Sequence, residues 1–117
     1  MIRIIIDALP PTVNHMYITC KGGRKALSAE AEAFRKLVLA ALSGVLPAVP
    51  EGPLEFTLRL TLDTKRRQDI DNRIKAALDA VAIALRFDDC RVSRIIVERA
   101  GYAAKQPRCE IEIGVLG

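Results

Sequence analysis

Carboxylates and a lysine lie close together in the middle of the chain. Asp69 and Asp71 stand two positions apart, Lys75 follows four residues later, and Asp88-Asp89 comes after one helix's worth of residues. Carboxylates bind hard divalent cations such as Mg²⁺, and basic side chains beside them attract phosphate. These residue types in this order indicate a metal-dependent enzyme that acts on a phosphodiester backbone.

The spacing of the two aspartates restricts the backbone on which they can share an ion. On a helix, residues i and i+2 lie about 200° apart, whereas in an extended segment both side chains point to the same side. We therefore expect Asp69 and Asp71 in extended chain just before, or at the start of, the helix whose apolar stripe begins at Ile74. The start of a helix also favours carboxylates and phosphates electrostatically.

The second acidic pair, Asp88-Asp89, follows that helix directly. A helix of four turns would place it about 20 Å from Asp69 and Asp71. Either the chain brings it back, or a second copy of the chain supplies it, and the spacing does not distinguish the two. In a plainer interpretation Asp71 is an N-cap, Asp69 a solvated acid and Asp88-Asp89 a turn.

Basic residues flank the first acidic pair. A run of lysine and arginine at a strand end is usually only solvated, but its adjacency to two carboxylates predicts phosphate contact. A second basic group surrounds Gly22-Gly23, where the sequence predicts a loop or hairpin tip. The residues predicted to contact DNA are Lys21, Arg24, Lys65, Arg66, Arg67 and Arg73.

Composition narrows the class of protein. With 117 residues, half of them apolar, the chain predicts one domain over residues 1–117 with one core. The net charge of +4 permits a nucleic-acid partner without requiring one. Three widely spaced cysteines without a Cys-x-x-Cys argue against a disulfide framework or zinc site and favour a reducing, cytoplasmic setting. No apolar run approaches the roughly 18 residues of a membrane span.

Hydrophobic periodicity predicts an α+β fold in which two main helices pack on a mixed β-sheet. Ser28 is the expected N-cap of the first helix, and Gly44 and Pro47 are expected to close it. Its apolar stripe is predicted to contain Phe34, Leu37, Val38, Ala41 and Val45. The predicted elements are a strand buried on both faces at 2–7, a hairpin or irregular segment at 12–26, helix 28–43, strand 54–62, helix 74–85, strand 92–99, a loop at 101–107 and a final strand at 109–115.

Four sequence blocks together resemble the RusA-like Holliday junction resolvases. They are Arg-Arg-x-Asp-Ile-Asp-Asn-x-x-Lys at 66–75, Asp-Asp-x-x-Val at 88–92, Pro-Pro-x-x-Asn at 10–14 with a nearby Tyr17, and Ser-Ala-Glu-x-x-x-Phe-Arg at 28–35. The resemblance covers nearly the whole chain, and its most specific part is the Asp-x-Asp-Asn block followed by the Asp-Asp pair.

The resemblance implies a small homodimeric, Mg²⁺-dependent DNA endonuclease that cuts four-way junctions in recombination and repair by paired symmetric cleavage. By the same resemblance, Asp69, Asp71 and Asp89 bind the metal and are catalytic, and Lys75 is the essential basic residue. The resemblance also implies a bacterial or phage source and a protein that acts on DNA in the cytoplasm, with no membrane as a partner.

Two alternatives belong to other classes of protein. A structure-selective DNA-binding module without cleavage would keep Arg66, Arg67 and Lys75 but would need no Mg²⁺. A structural or regulatory dimer would use the acidic segment only as a solvated turn. Cleavage of a four-way junction with and without Mg²⁺ separates all three.

Overall fold

The structure is a computed structural model, and it describes residues 1–42 and 46–116. Within these residues the chain forms six strands, two α-helices and three short 3₁₀-helices. The strands and α-helices are β1 (Ile2–Ile6), β2 (Tyr17–Thr19), β3 (Lys25–Leu27), α1 (Ala29–Ala41), β4 (Leu54–Leu62), α2 (Ile74–Leu85), β5 (Val92–Tyr102) and β6 (Arg108–Val115). The 3₁₀-helices are Val13–His15, Asp71–Arg73 and Asp89–Arg91.

The main sheet has four strands in the order β1-β6-β4-β5. β4 and β5 pair in parallel, whereas β6 pairs antiparallel with both β1 and β4. A parallel pair needs a long crossover connection, and α2 provides it here. The sheet is therefore mixed and carries two helices, which confirms the predicted α+β class.

A separate two-stranded hairpin, β2 with β3, occupies the segment in which the sequence predicts a hairpin or irregular chain. Its tip contains Gly22 and Gly23, both at positive φ (86° and 81°). Glycine adopts this backbone conformation without steric cost, which explains why the turn forms there.

The core lies between one face of the sheet and the two helices. Every even-numbered residue of β4, from Leu54 to Leu62, is buried, as the strict alternation predicts. Phe34 and Val38 of α1 and the fully buried Ala77 of α2 belong to the same cluster. The buried side of α2 is largely alanine, and these small side chains let the helix pack closely against its neighbours.

The prediction that the first strand is buried on both faces is wrong. Ile2, Ile4 and Ile6 are buried, but Arg3 is exposed and Ile5 is 55% exposed. The helices cover only one face of the sheet, and β1 is an edge strand, so its alternate side chains face solvent. A strand rich in isoleucine can therefore occupy a half-covered position.

The first helix begins as predicted, because the Ser28 Oγ accepts a hydrogen bond from the Ala31 N–H at 3.1 Å. Its predicted apolar stripe is partly wrong, because Leu37 is 43% exposed and Ala41 is also exposed. The predicted roles of Gly44 and Val45 lie outside the described residues.

The strand predicted at 92–99 is longer in the structure and continues to Tyr102. Its register against β4 shifts between Leu60 and Thr61, where Ala100 is an extra residue on β5. Pairing across this bulge continues the strand through Gly101, where the sequence predicts the start of a loop.

Candidate functional site

The N-terminal end of α2 carries the first acidic pair. Asp71 opens the 3₁₀-helix that runs directly into α2, and Asp69 lies exposed in the preceding loop. The pair therefore lies at the start of the helix, as predicted. The expectation of extended chain is wrong, because Ile70 has helical dihedral angles (φ −78°, ψ −21°). The chain turns into the helix one residue before Asp71.

Asn72 adds an oxygen that was not among the predicted site residues, although the Asp-x-Asp-Asn block contains it. Its Oδ1 is buried and has no hydrogen-bond partner among residues 1–42 and 46–116. A buried carbonyl oxygen of this kind normally has a partner, so it marks a position at which a donor or cation would be favourable. The only sequence signal for it is its place directly after the Asp-x-Asp motif.

These groups have the chemistry that a magnesium ion prefers. Mg²⁺ is usually held by one or two carboxylates and completes its shell with water and substrate phosphate oxygens. Asp69, Asp71 and the Asn72 Oδ1 are hard oxygen donors, and the helix start beside them favours bound phosphate. The residues at this end of α2 therefore fit the ion.

The C-terminal end of α2 carries the second acidic pair. Arg86 ends the helix in the left-handed region (φ 60°, ψ 48°), and Asp88 then caps the next 3₁₀-helix. The Cys90 backbone N–H donates to the Asp88 Oδ1 at 3.0 Å, and this bond holds the pKa of Asp88 below its ordinary value. Asp89, the first residue of that 3₁₀-helix, is exposed.

The two acidic pairs lie at opposite ends of α2. The continuous helical stretch from Asp71 to Leu85 is about 20 Å long. β5 then starts beside Leu54, at the far end of β4 from the loop that carries Asp69. The chain therefore does not bring Asp89 back to Asp69 and Asp71. In the described part of the chain, no three His, Cys, Asp or Glu side chains form a group that could hold a metal ion.

Lys75 lies between the two ends on the exposed surface of α2. Its Nζ is 3.5 Å from the Asp79 Oδ2, one helical turn further on. Asp79 in turn lines a surface depression of about 340 Å³ together with Arg35, Asp88 and Asp89. The sequence places Asp79 on the same edge as Lys75, and the spacing of four residues is the signal for this ion pair.

The basic run Lys65, Arg66 and Arg67 lies in the loop between β4 and α2, where all three side chains are exposed. The Lys65 Nζ lies 5.3 Å from the centre of the Tyr102 ring. Arg99 holds the loop to β5, because its Nη2 donates to the Gln68 carbonyl oxygen at 2.7 Å. The sequence does not indicate that Tyr102 and Arg99 lie beside this loop, because the bulge in β5 determines their positions.

The remaining predicted DNA contacts differ in their surroundings. The Arg73 Nη1 donates to the Pro10 carbonyl oxygen at 2.6 Å, and its Nη2 donates to the Gln68 Oε1 at 3.3 Å. These bonds give Arg73 a structural role in anchoring the loop. Lys21 and Arg24 are exposed on the separate hairpin. For all three residues, contact with DNA stays a prediction.

Comparison with known protein families decides the class of protein. The model of the family described as endodeoxyribonuclease RusA matches residues 8–114 of the 117. The chain belongs to the RusA endodeoxyribonuclease family. The resemblance stated from the four sequence blocks is therefore confirmed. No curated protein sequence gives a significant match to the chain.

The RusA family match includes both acidic pairs, the basic run and the β2–β3 hairpin. It leaves out β1 and contains the whole crossover from β4 through α2 to β5. Among the described residues, no helix has the length and apolar character needed to cross a bilayer.

Proposed function

We propose that this RusA family member is a Mg²⁺-dependent endonuclease that resolves four-way DNA junctions by paired symmetric cuts, in bacterial or phage DNA recombination and repair. The observation that carries the proposal is the arrangement at the start of α2. Two exposed carboxylates, Asp69 and Asp71, and the orphaned Asn72 oxygen lie directly after the basic run, in a chain that belongs to an endodeoxyribonuclease family.

Asp69 and Asp71 are the residues that would hold the magnesium ion, with the Asn72 Oδ1 within the same stretch of chain. When bound, the ion supplies charge stabilisation for the scissile phosphate and makes a water molecule more acidic. The carboxylates contribute negative charge that balances the ion and fixes where the phosphate lies. The start of α2 adds a favourable field for the same phosphate.

Lys75 is proposed to donate to the phosphate as negative charge increases on it during cleavage. In the free protein its ammonium group is paired with Asp79 at 3.5 Å, and the side chain is 55% exposed. The Asp79 side chain is only 17% exposed, whereas the Lys75 side chain extends into solvent. The flexible ammonium group can therefore turn from Asp79 toward a phosphate oxygen, so the pair does not prevent Lys75 from acting.

Binding of the junction is assigned to the basic residues, because phosphate contacts supply most of the affinity of proteins for DNA. Arg66 and Arg67 extend from the loop that leads into Asp69, so they are proposed to contact phosphates adjacent to the cut. Lys65 belongs to the same run. Lys21 and Arg24, on the separate hairpin, are proposed to contact a second arm of the junction.

A homodimer is proposed for two reasons. A junction has two strands to cut, and a two-fold dimer offers two equivalent sites. Asp89 also follows the far end of a helical stretch of about 20 Å that begins at Asp71, which favours a partner chain as the source of the third carboxylate. Asp88 is engaged as a cap by the Cys90 N–H, which supports Asp89 as the available member of the pair.

The function is tested with a four-way junction labelled on one strand at a time. We expect Mg²⁺ to give cuts at symmetric positions in two opposed strands, and EDTA to abolish cutting while binding persists. A linear duplex of the same sequence is the control and should stay intact. Binding without any cutting in Mg²⁺ would instead support the DNA-binding module that lacks nuclease activity.

The proposed assembly is tested separately by sedimentation equilibrium at micromolar protein concentration without DNA. We expect the mass of a dimer. A monomer that cuts junctions as a monomer would refute the dimer and leave the carboxylate chemistry unaffected.

A further inference from the structure

A β-bulge brings two unrelated side chains to one face of β5. Leu60 of β4 pairs with Arg99, and Leu62 pairs with Tyr102, so Ala100 is the extra residue. Residues that pair side by side point to the same side of a sheet. Arg99 and Tyr102 therefore both lie on the helix-covered side of the sheet. In a regular strand, two residues three positions apart would face opposite sides. Bulges re-aim side chains in this way beside functional sites.

These two residues and the basic run enclose a pocket of about 400 Å³. Its volume lies within the range of sites that hold small organic ligands. The Arg99 Nη2 ties the loop to the strand through the Gln68 carbonyl oxygen, so the two walls keep a fixed separation. The lining residues are Leu62, Thr64, Lys65, Arg66, Arg67, Arg99, Gly101 and Tyr102.

The pocket combines unpaired positive charge with an accessible aromatic ring. Within the described ranges, Lys65, Arg66, Arg67 and Arg99 form no salt bridge with a carboxylate. Tyr102 is 46% exposed, and the Lys65 ammonium lies over its ring at 5.3 Å from the ring centre. A face of the ring is therefore open to a ligand that displaces one flexible side chain.

We propose that this pocket holds a single unpaired nucleotide of the DNA substrate, with its base stacked on Tyr102 and its phosphate bound by Arg66, Arg67 and Arg99. Aromatic platforms beside basic grooves bind unpaired bases without sequence preference. A duplex backbone would need only a basic surface, whereas a pocket with an aromatic wall suits a base that has left its stack. That the substrate is DNA rests on the proposed function.

Lys65 does not block this binding. A cation–π contact at an exposed site is weaker than the stacking of a base on an aromatic ring. An entering base therefore displaces the ammonium group, which remains close enough to pair with the phosphate of the same nucleotide. The Lys65 ammonium group, which covers the ring in the free protein, then contacts the phosphate in the complex.

Binding of oligothymidine in EDTA, measured by fluorescence anisotropy, tests the pocket without any cleavage. Tyr102→Leu should weaken binding by about 5- to 150-fold, which is the range for loss of one stacked base. Tyr102→Phe keeps the ring and should bind like the wild type. The affinity for a duplex of equal length should be the same for all three proteins, and circular dichroism should show the same fold.

A spectroscopic measurement reports on the ring directly. The chain has two tyrosines and no tryptophan, so Tyr17→Phe leaves Tyr102 as the dominant fluorophore. Oligothymidine should quench the fluorescence of Tyr17→Phe and leave that of Tyr102→Phe, which retains only Tyr17, unchanged.

The pocket is refuted if Tyr102→Leu binds oligothymidine as the wild type does, if it loses duplex affinity equally, or if Tyr17→Phe is not quenched. If quenching and the Tyr102→Leu defect appear but junctions are not cut in Mg²⁺, the pocket stands and the nuclease proposal fails. Junction cleavage together with wild-type oligothymidine binding by Tyr102→Leu refutes the pocket alone.

Discussion

The open face of the sheet and the loop before α2 are both rich in arginine, but they use it differently. On the open face, which no helix covers, Arg59 lies 2.5 Å from Glu98 and 2.7 Å from Glu112. Arg94 pairs with Glu55 at 2.9 Å, also on that face. In the loop, none of the three basic residues of the Lys65–Arg67 run pairs with a carboxylate in the part of the chain that the structure describes.

The difference separates charges that are neutralised by ion pairs within the fold from charges that remain available to bind a ligand. Arg3 donates a hydrogen bond to Glu110 and lowers the pKa of that carboxyl, while Glu112 and Glu98 raise the pKa of Arg59. These charges are neutralised by their partners across the strands. Among the described residues the loop's charges have no such partners, so they remain available to the phosphates of the proposed substrate. The exposed Asp69 and Asp71 are likewise outside any ion pair with described residues, which leaves them available to the proposed cation.

The largest effect should follow from removing an unpaired acid. Asp71→Asn keeps the side-chain shape but removes a negative charge, and we expect junction cleavage to fall by at least about 100-fold. Binding should persist or strengthen, because the contacts to phosphate remain. Cleavage and anisotropy assays measure the two effects. The control is Glu55→Gln, whose charge is paired with Arg94 on the open face. If both variants cut alike, the distinction between paired and unpaired charge fails.

A similar contrast exists within the second acidic pair. Asp89→Asn should also lose about 100-fold in cleavage. Asp88→Asn should lose far less, because an asparagine oxygen can accept the same hydrogen bond from the Cys90 N–H. Steady-state cleavage rates at saturating Mg²⁺ measure the difference. A greater loss for Asp88→Asn would reverse the roles assigned to the two residues.

A smaller effect, on affinity, should follow from neutralising the loop. The double variant Arg66→Ala and Arg67→Ala should bind junctions more weakly and reduce the slope of log affinity against log salt by about two units, one per phosphate contact. Arg94→Ala is the matched control, because its partner is Glu55 rather than phosphate, and its slope should equal that of the wild type. An unchanged slope for the loop variant would mean that Arg66 and Arg67 face solvent in the complex.

The smallest effect should come from a paired charge on the open face. Because Arg3 lowers the pKa of Glu110, this pair stabilises the fold above the ordinary glutamate pKa and loses its contribution as the pH falls through the lowered value. Glu110→Gln should therefore reduce the free energy of unfolding at neutral pH by less than about 1 kcal/mol, with no effect at low pH. Urea unfolding at several pH values measures this. A loss that persists at low pH would show that packing, rather than charge, is responsible.

Sequence patterns predicted the elements whose signals are local. β4 forms at the predicted residues because its leucines alternate with polar residues, and α2 forms over 74–85 because its apolar stripe has helical spacing. The N-cap at Ser28 depends only on the residues beside it. These signals also placed the acidic pairs at the two ends of α2.

The features that the sequence did not predict depend on contacts between distant segments. The exposure of Ile5 depends on which face of the sheet the helices cover. The positions of Arg99 and Tyr102 depend on a bulge in the pairing of β4 with β5. The helical conformation of Ile70 could not be predicted, because the Asp-x-Asp motif is compatible with either extended or helical backbone before α2.

Gln68 is held from two sides, and this has a consequence for the kinetics of recognition. Its carbonyl oxygen accepts from Arg99 and its side-chain oxygen accepts from Arg73, which is itself anchored on Pro10. The loop is therefore already ordered before DNA arrives, and most of its conformational entropy is lost during folding rather than on binding. In the proposed function this loop would meet DNA in the binding conformation, so encounter rather than rearrangement of the loop should limit the rate of association.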